Sequence, residues 1–173
     1  MIMLRGLINE DKGTPSELDA SVTFGPKQFN LPVIPANMRA VIDVDIARWL
    51  SENYYMYIMH RFDVDILAFV QKANKEDWTN ISISIGVKEE DYDILTKISS
   101  LRLRVDFITI DIAHGHCSLM HSMLDHVKRT LPDTYIIAGN VATGAAAAAA
   151  MNEKGGISAV FQTSYYEFPI AYS

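Results

Sequence analysis

The stretch Ile108-Thr-Ile-Asp-Ile-Ala-His-Gly-His116 decides the fold of this chain. A run of strand-forming residues stops at Asp111, and small, polar and titratable residues follow at once. In a parallel β/α protein the strand body is buried and its C-terminal end carries the chemistry, so this pattern has the form of an active-site rim. The same design recurs on either side. Strands are predicted over residues 31–36, 55–59, 81–87, 107–112 and 135–138, and a sixth could open over 157–162. Helices are predicted between them over 44–52, 66–74, 91–99, 119–129 and 144–153, the last containing six consecutive alanines, Ala145 to Ala150.

The strands begin at intervals of roughly 25 residues, which suits βαβ units. Most read as continuous apolar runs, as parallel strands buried on both faces do. Periodicity leaves two architectures open, a (β/α) barrel and an open doubly wound sheet. No G-x-G-x-x-G follows any strand, which weakens an open sheet of the dinucleotide-binding type. Ahead of the repeats, residues 1–20 read as irregular, broken by Gly13, Pro15 and Ser16. Val22-Thr-Phe-Gly-Pro-Lys-Gln-Phe29 reads as a hairpin about Gly25-Pro26. Beyond Gly156 the pattern changes, and Tyr165-Tyr-Glu-Phe-Pro-Ile-Ala-Tyr-Ser173 has no helical period, so 157–173 forms a divergent tail.

With 173 residues, 49% of them hydrophobic, the chain can bury one substantial core, and a single domain over 1–173 is expected. A formal net charge of −6 argues against a nucleic-acid surface. It leaves a nucleotide ligand open, because small phosphates are held by local backbone donors. The lone cysteine, Cys117, can form neither an intramolecular disulfide nor a multi-cysteine zinc cage, which fits a reducing compartment. Met1-Ile-Met-Leu-Arg-Gly6 is too short an apolar run for a signal peptide, and no membrane-length run follows. A soluble cytoplasmic protein without membrane contact is expected.

Each strand ends in a polar or flexible group: Asn37-Met38, His60-Arg61, Gly86 with Lys88, Asp111 to His116, and Gly139-Asn140. Five such ends in succession point to a ligand face. His114 and His116 beside Asp111 also permit a metal-dependent barrel hydrolase, but no third ligand motif stands at another strand end, and no metal site is assigned. His121 and His126, on the following helix, are expected to face solvent or a partner. His60 reads as a hydrogen-bonding rim residue. Tyr54, Tyr55 and Tyr57 read as strand packing and a cofactor-side wall. Glu89-Glu90-Asp91 reads as a helix start, where negative charge meets the positive dipole end.

Five motifs stand in order: Leu31-Pro-Val-Ile-Pro-Ala-Asn-Met38, Tyr57-Ile-Met-His-Arg-Phe62, Ser82-Ile-Ser-Ile-Gly-Val-Lys88, Thr109-Ile-Asp-Ile-Ala-His-Gly-His116 and Ile137-Ala-Gly-Asn-Val-Ala-Thr143. In order and spacing they resemble the IMP dehydrogenase/GMP reductase family, nearest its bacterial GMP reductase branch, over about residues 19–155. The resemblance implies an α/β fold of (β/α)8 TIM-barrel type and an NADPH-dependent reductive deamination of GMP to IMP and ammonia. An IMP dehydrogenase-like reaction is the alternative within the family. By motif, Asn37, Met38, Gly139 and Asn140 would contact the purine nucleotide at the reacting centre. Arg61, Gly86, Asp111, Ala113 and Gly115 would lie along the cofactor, with Asp111 as hydrogen-bond acceptor and Gly86 allowing close backbone approach.

The same resemblance exposes departures. The family attacks the purine with a cysteine in a Gly-rich loop after the sixth strand, and that loop helps hold a monovalent cation. Later loops grip the phosphate and supply a Thr/Glu acid–base pair. In this sequence the residues from Phe161 to Ser173 carry none of these motifs, and Cys117, just after the fourth strand, does not match the nucleophile by position. A full barrel takes about 250 residues. The expectation is therefore an incomplete barrel of five β/α units plus a sixth strand, catalytically incomplete, with a non-catalytic nucleotide-binding or interaction remnant as a further alternative. Exposed strand edges would favour a homo-oligomer.

Overall fold

The computed structural model describes residues 2–3, 19–112, 118–139 and 159–161. Three strands precede the regular β/α pattern. β1 (Ile2–Met3) pairs antiparallel with β4 (Val33–Ile34), while β2 (Val22–Phe24) and β3 (Lys27–Phe29) form the expected hairpin. Gly25 opens its turn at φ +57°. The segment read as irregular thus contributes a short strand, and two apolar residues cover the edge that β4 would otherwise leave unpaired.

α1 (Val44–Glu52), α2 (Ile66–Lys75), β5 (Ser82–Ile85), α3 (Glu89–Ser100), β6 (Phe107–Asp111), α4 (Ser118–Thr130), β7 (Tyr135–Gly139) and β8 (Ala159–Phe161) follow. β5, β6, β7 and β8 form a parallel sheet in that order. The segment predicted as a strand over 55–59 joins its edge through one bridge, Met59 to Ile83, with Met59 N donating to Ser82 O at 3.1 Å and Ser84 N to Met59 O at 2.9 Å. The strand read over 31–36 shrinks to two residues because Pro32 and Pro35 carry no N–H to donate. The predicted helix over 144–153 lies outside the described residues.

Register separates the two faces of the sheet. Ile83 pairs with Ile108 and Ile85 with Ile110, and these side chains join Phe69, Val70, Leu95, Met123 and Val127 of the helices in one buried cluster. The opposite face carries Phe107 and Ile137, which pack with Phe29, Ile34, Met56 and Ile58 in a second cluster. Residues from the hairpin, β4, the 55–59 segment, β6 and β7 share that second cluster, so the sheet is curved around it. Phe24 stacks on Phe107 with ring centroids 5.8 Å apart and meets Tyr135 edge-on at 5.3 Å, closing one end. Lys27 fixes the hairpin to that end through an ion pair with the largely buried Asp106 at 3.0 Å.

Helix starts follow sequence chemistry. Asp43 caps α1 by accepting from Ile46 N at 2.8 Å, and Asp65 caps α2 by accepting from Ala68 N at 2.9 Å. α3 begins two residues earlier than predicted, because Asp91 is not the cap but reaches back from the first turn to accept from Lys88 N at 2.9 Å.

Candidate functional site

Alternation along β5 and β6 sends Ser82, Ser84, Phe107, Thr109 and Asp111 to the inner side of the curved sheet. Three rows result. The lowest holds Ile58, Ser82, Phe107 and Tyr135, the middle His60, Ser84, Thr109 and Ile137, and the uppermost Gly86, Asp111 and Gly139. The interior therefore passes from aromatic at the hairpin end to polar at the strand ends.

At the upper row the candidate residues meet. Asn37 Nδ2 donates to Asp111 Oδ2 at 3.2 Å, across 74 residues of sequence. Asp111 lies opposite Gly139 in the register of β6 and β7, and Ile112 N donates to Gly139 O at 3.0 Å. Gly86 follows Ile85, the partner of Ile110, and so stands level with Asp111. Arg61 completes the group: a side chain built at Gly86 would come within 3.3 Å of Arg61 Nη1 and 2.9 Å of Asp91 Oδ2. The room that Gly86 leaves is thus filled by protein groups, with Gly86 N donating to Asp91 Oδ1 at 3.0 Å. Arg61 also lies over the Phe62 ring, 4.7 Å from its centroid. Met38 is exposed, and its carbonyl accepts from Val41 N at 2.8 Å and Ile42 N at 3.0 Å, which fixes the loop carrying Asn37.

Ala113, Gly115 and Asn140 lie outside the described residues, as do His114, His116 and Cys117. Among the described residues no cluster of three metal-ligating side chains occurs.

Several residues differ from the reading by type. His60 is not a rim residue: it is 3% exposed, and its Nδ1 has no partner among the described residues. Thr109 Oγ1, in the same row, is likewise buried and unpartnered there, while Ser84 Oγ donates to Met59 O at 2.8 Å. Tyr57 packs in the helix-side cluster with its hydroxyl donating to Asn80 O at 2.9 Å, so it is no part of a cofactor wall. Tyr54 is exposed, and Tyr55 stacks on Trp49 at 5.8 Å. His126 is half-buried and meets Tyr92 of α3 edge-on at 4.8 Å. The inner residues Ser84 and Thr109 and the buttress Asp91 were missed. Their signal was the Ser-Ile-Ser-Ile alternation of 82–85, which a purely apolar strand would lack.

A hollow of about 440 Å³ opens at the opposite end of the sheet, between the loops that lead into β6 and β7. Its Arg104 donates to Trp78 O, which ties that end to the loop after α2.

Fold and site together define an α/β protein whose curved parallel sheet gathers amide, carboxylate and guanidinium groups at its strand ends. Residues 7–161 match the family model of the IMP dehydrogenase / GMP reductase domain, and the chain belongs to that family. It is 51% identical over 128 residues to a GMP reductase of Leptothrix cholodnii, 49% to one of Paracidovorax citrulli and 45% to one of Staphylococcus aureus. Each match covers 74% of this chain and 39% of the relative, so the chain spans about two fifths of the length of the curated relatives it matches.

Proposed function

We propose that the protein is a GMP reductase-like purine-nucleotide oxidoreductase built on a (β/α)8 barrel plan, of the class that carries out NADPH-dependent reductive deamination of GMP to IMP and ammonia, and catalytically incomplete over these 173 residues. The observation that carries this reading is the meeting of Asn37, Asp111 and Gly139 at one set of strand ends, with Gly86 at the end of the neighbouring β5 and Arg61 beside it, after the 55–59 segment. Relatives named GMP reductase at 45–51% identity favour the reductase over an IMP dehydrogenase-like reaction.

The donor set fits a nicotinamide dinucleotide. Asp111 Oδ2 is engaged by Asn37, while Oδ1 has no donor among the described residues and can accept from a ligand amide or hydroxyl. When bound, NADPH supplies the reducing equivalent that deamination consumes. Arg61 offers a fixed positive charge beside it, and Asn37, Met38, Gly139 and Asn140 form the purine side. The polar middle row of His60, Ser84 and Thr109 lies directly beneath and gives the floor hydrogen-bonding capacity.

The reading predicts a saturable fluorescence change when NADPH is titrated into the chain, weakened about tenfold or more by Asp111→Ala, the loss expected for one hydrogen bond to a charged group. No saturable signal up to millimolar cofactor would contradict it. In the same preparation GMP is expected to produce no steady NADPH oxidation, because the 173 residues contain no cysteine but Cys117, which does not match the family's nucleophile by motif. Turnover abolished by Asp111→Ala would overturn that expectation.

A further inference from the structure

We propose that Asn37 is a positioning residue: it acts on the cofactor through Asp111, by fixing the orientation in which that carboxylate is offered to the ligand. This rests on the functional reading above. Two residues 74 positions apart are joined by a single polar contact, Asn37 Nδ2 to Asp111 Oδ2 at 3.2 Å. Both ends are held. Asp111 closes β6 in register with Gly139, and the loop after Asn37 is a turn in which Val41 N and Ile42 N both donate to Met38 O. An amide held in place beside a carboxylate removes its rotational freedom, because only one oxygen can face the donor. The other oxygen is then the acceptor presented at the mouth. Asn37 therefore couples the purine side to the cofactor side, although the motif alone would give it a purine contact only.

The contact predicts losses that do not add. Asn37→Ala frees the carboxylate but leaves it in place, whereas Asp111→Ala removes the group on which Asn37 acts. A double-mutant cycle read by NADPH titration of the full chain, with thermal unfolding run alongside, tests this. Asn37→Ala is expected to weaken binding about threefold to tenfold in the unaltered chain and to weaken it no further in Asp111→Ala. Should Asn37→Ala not fold, Asn37→Ser serves in its place.

Equal NADPH binding by Asn37→Ala and the unaltered chain would overturn the proposal. So would losses that add in the double variant, since Asn37 would then act on the ligand without Asp111. Absence of NADPH binding by the unaltered chain would remove the functional reading and this inference with it, so the two failures are distinguishable.

Discussion

Tyr57 illustrates how little of a residue's role its type reveals. Its ring is fully buried on the helix side of the sheet, and burial pushes the phenol above its ordinary value of 10.0. The folded chain therefore keeps the proton at pH values where the unfolded chain releases it. This contribution is fully present below about pH 10 and is lost progressively as pH rises above that. Tyr57→Phe gives up the hydroxyl bond to Asn80 O, which costs about 1 kcal/mol at neutral pH, but it removes this alkaline loss. Urea unfolding at neutral pH and again above pH 10 should show the variant less stable in the first condition and less pH-sensitive in the second. Equal alkaline slopes would contradict the burial argument. At this scale the strand-end residues were legible because each closes an apolar run. The bond between Asn37 and Asp111 was not, since nothing local links positions so far apart.

Elements were easier to read at their starts than at their ends. Asp43 and Asp65 stand directly before apolar helical periods, and α1 occupies the span its pattern predicted. Helix ends gave no glycine signal, because left-handed positions just after α1, α2 and α3 are occupied by Tyr54, Asp77 and Arg102 at φ of 59°, 51° and 53°. Strand lengths were over-read where proline intervened at 32 and 35. The inner polar row went unseen because its serines and threonine were counted within apolar runs. Among the described residues Gly25 is the one turn position that requires glycine twice over, by its positive φ and because an added methyl would sit 2.7 Å from Tyr135 Cδ2. Gly25→Ala is expected to destabilise the fold by about 1–3 kcal/mol through the hairpin's loss of seating on Tyr135 and Phe107. Thermal unfolding measures it, and an unchanged Tm would show that the hairpin does not close the inner cluster.

For the whole molecule, the parallel sheet brings Asn37, Gly86, Asp111 and Gly139 to one set of strand ends. The aromatic cluster at the hairpin end and the helix-side core pack on its two faces, and the polar gradient along the inner face follows from strand alternation. Family membership was legible from five ordered motifs, whereas the residues after Ile112 that the motifs assign to the cofactor lie outside those described. Among the described residues no helix is long and apolar enough to cross a membrane.

Hydrogen exchange measured by mass spectrometry, with NADPH and GMP added together, tests convergence most directly. Protection is expected to rise in five separate stretches at once, about Asn37, Arg61, Gly86, Asp111 and Gly139. Protection confined to one of them, or found instead around Arg104 and Thr134 at the far end of the sheet, would contradict a shared mouth.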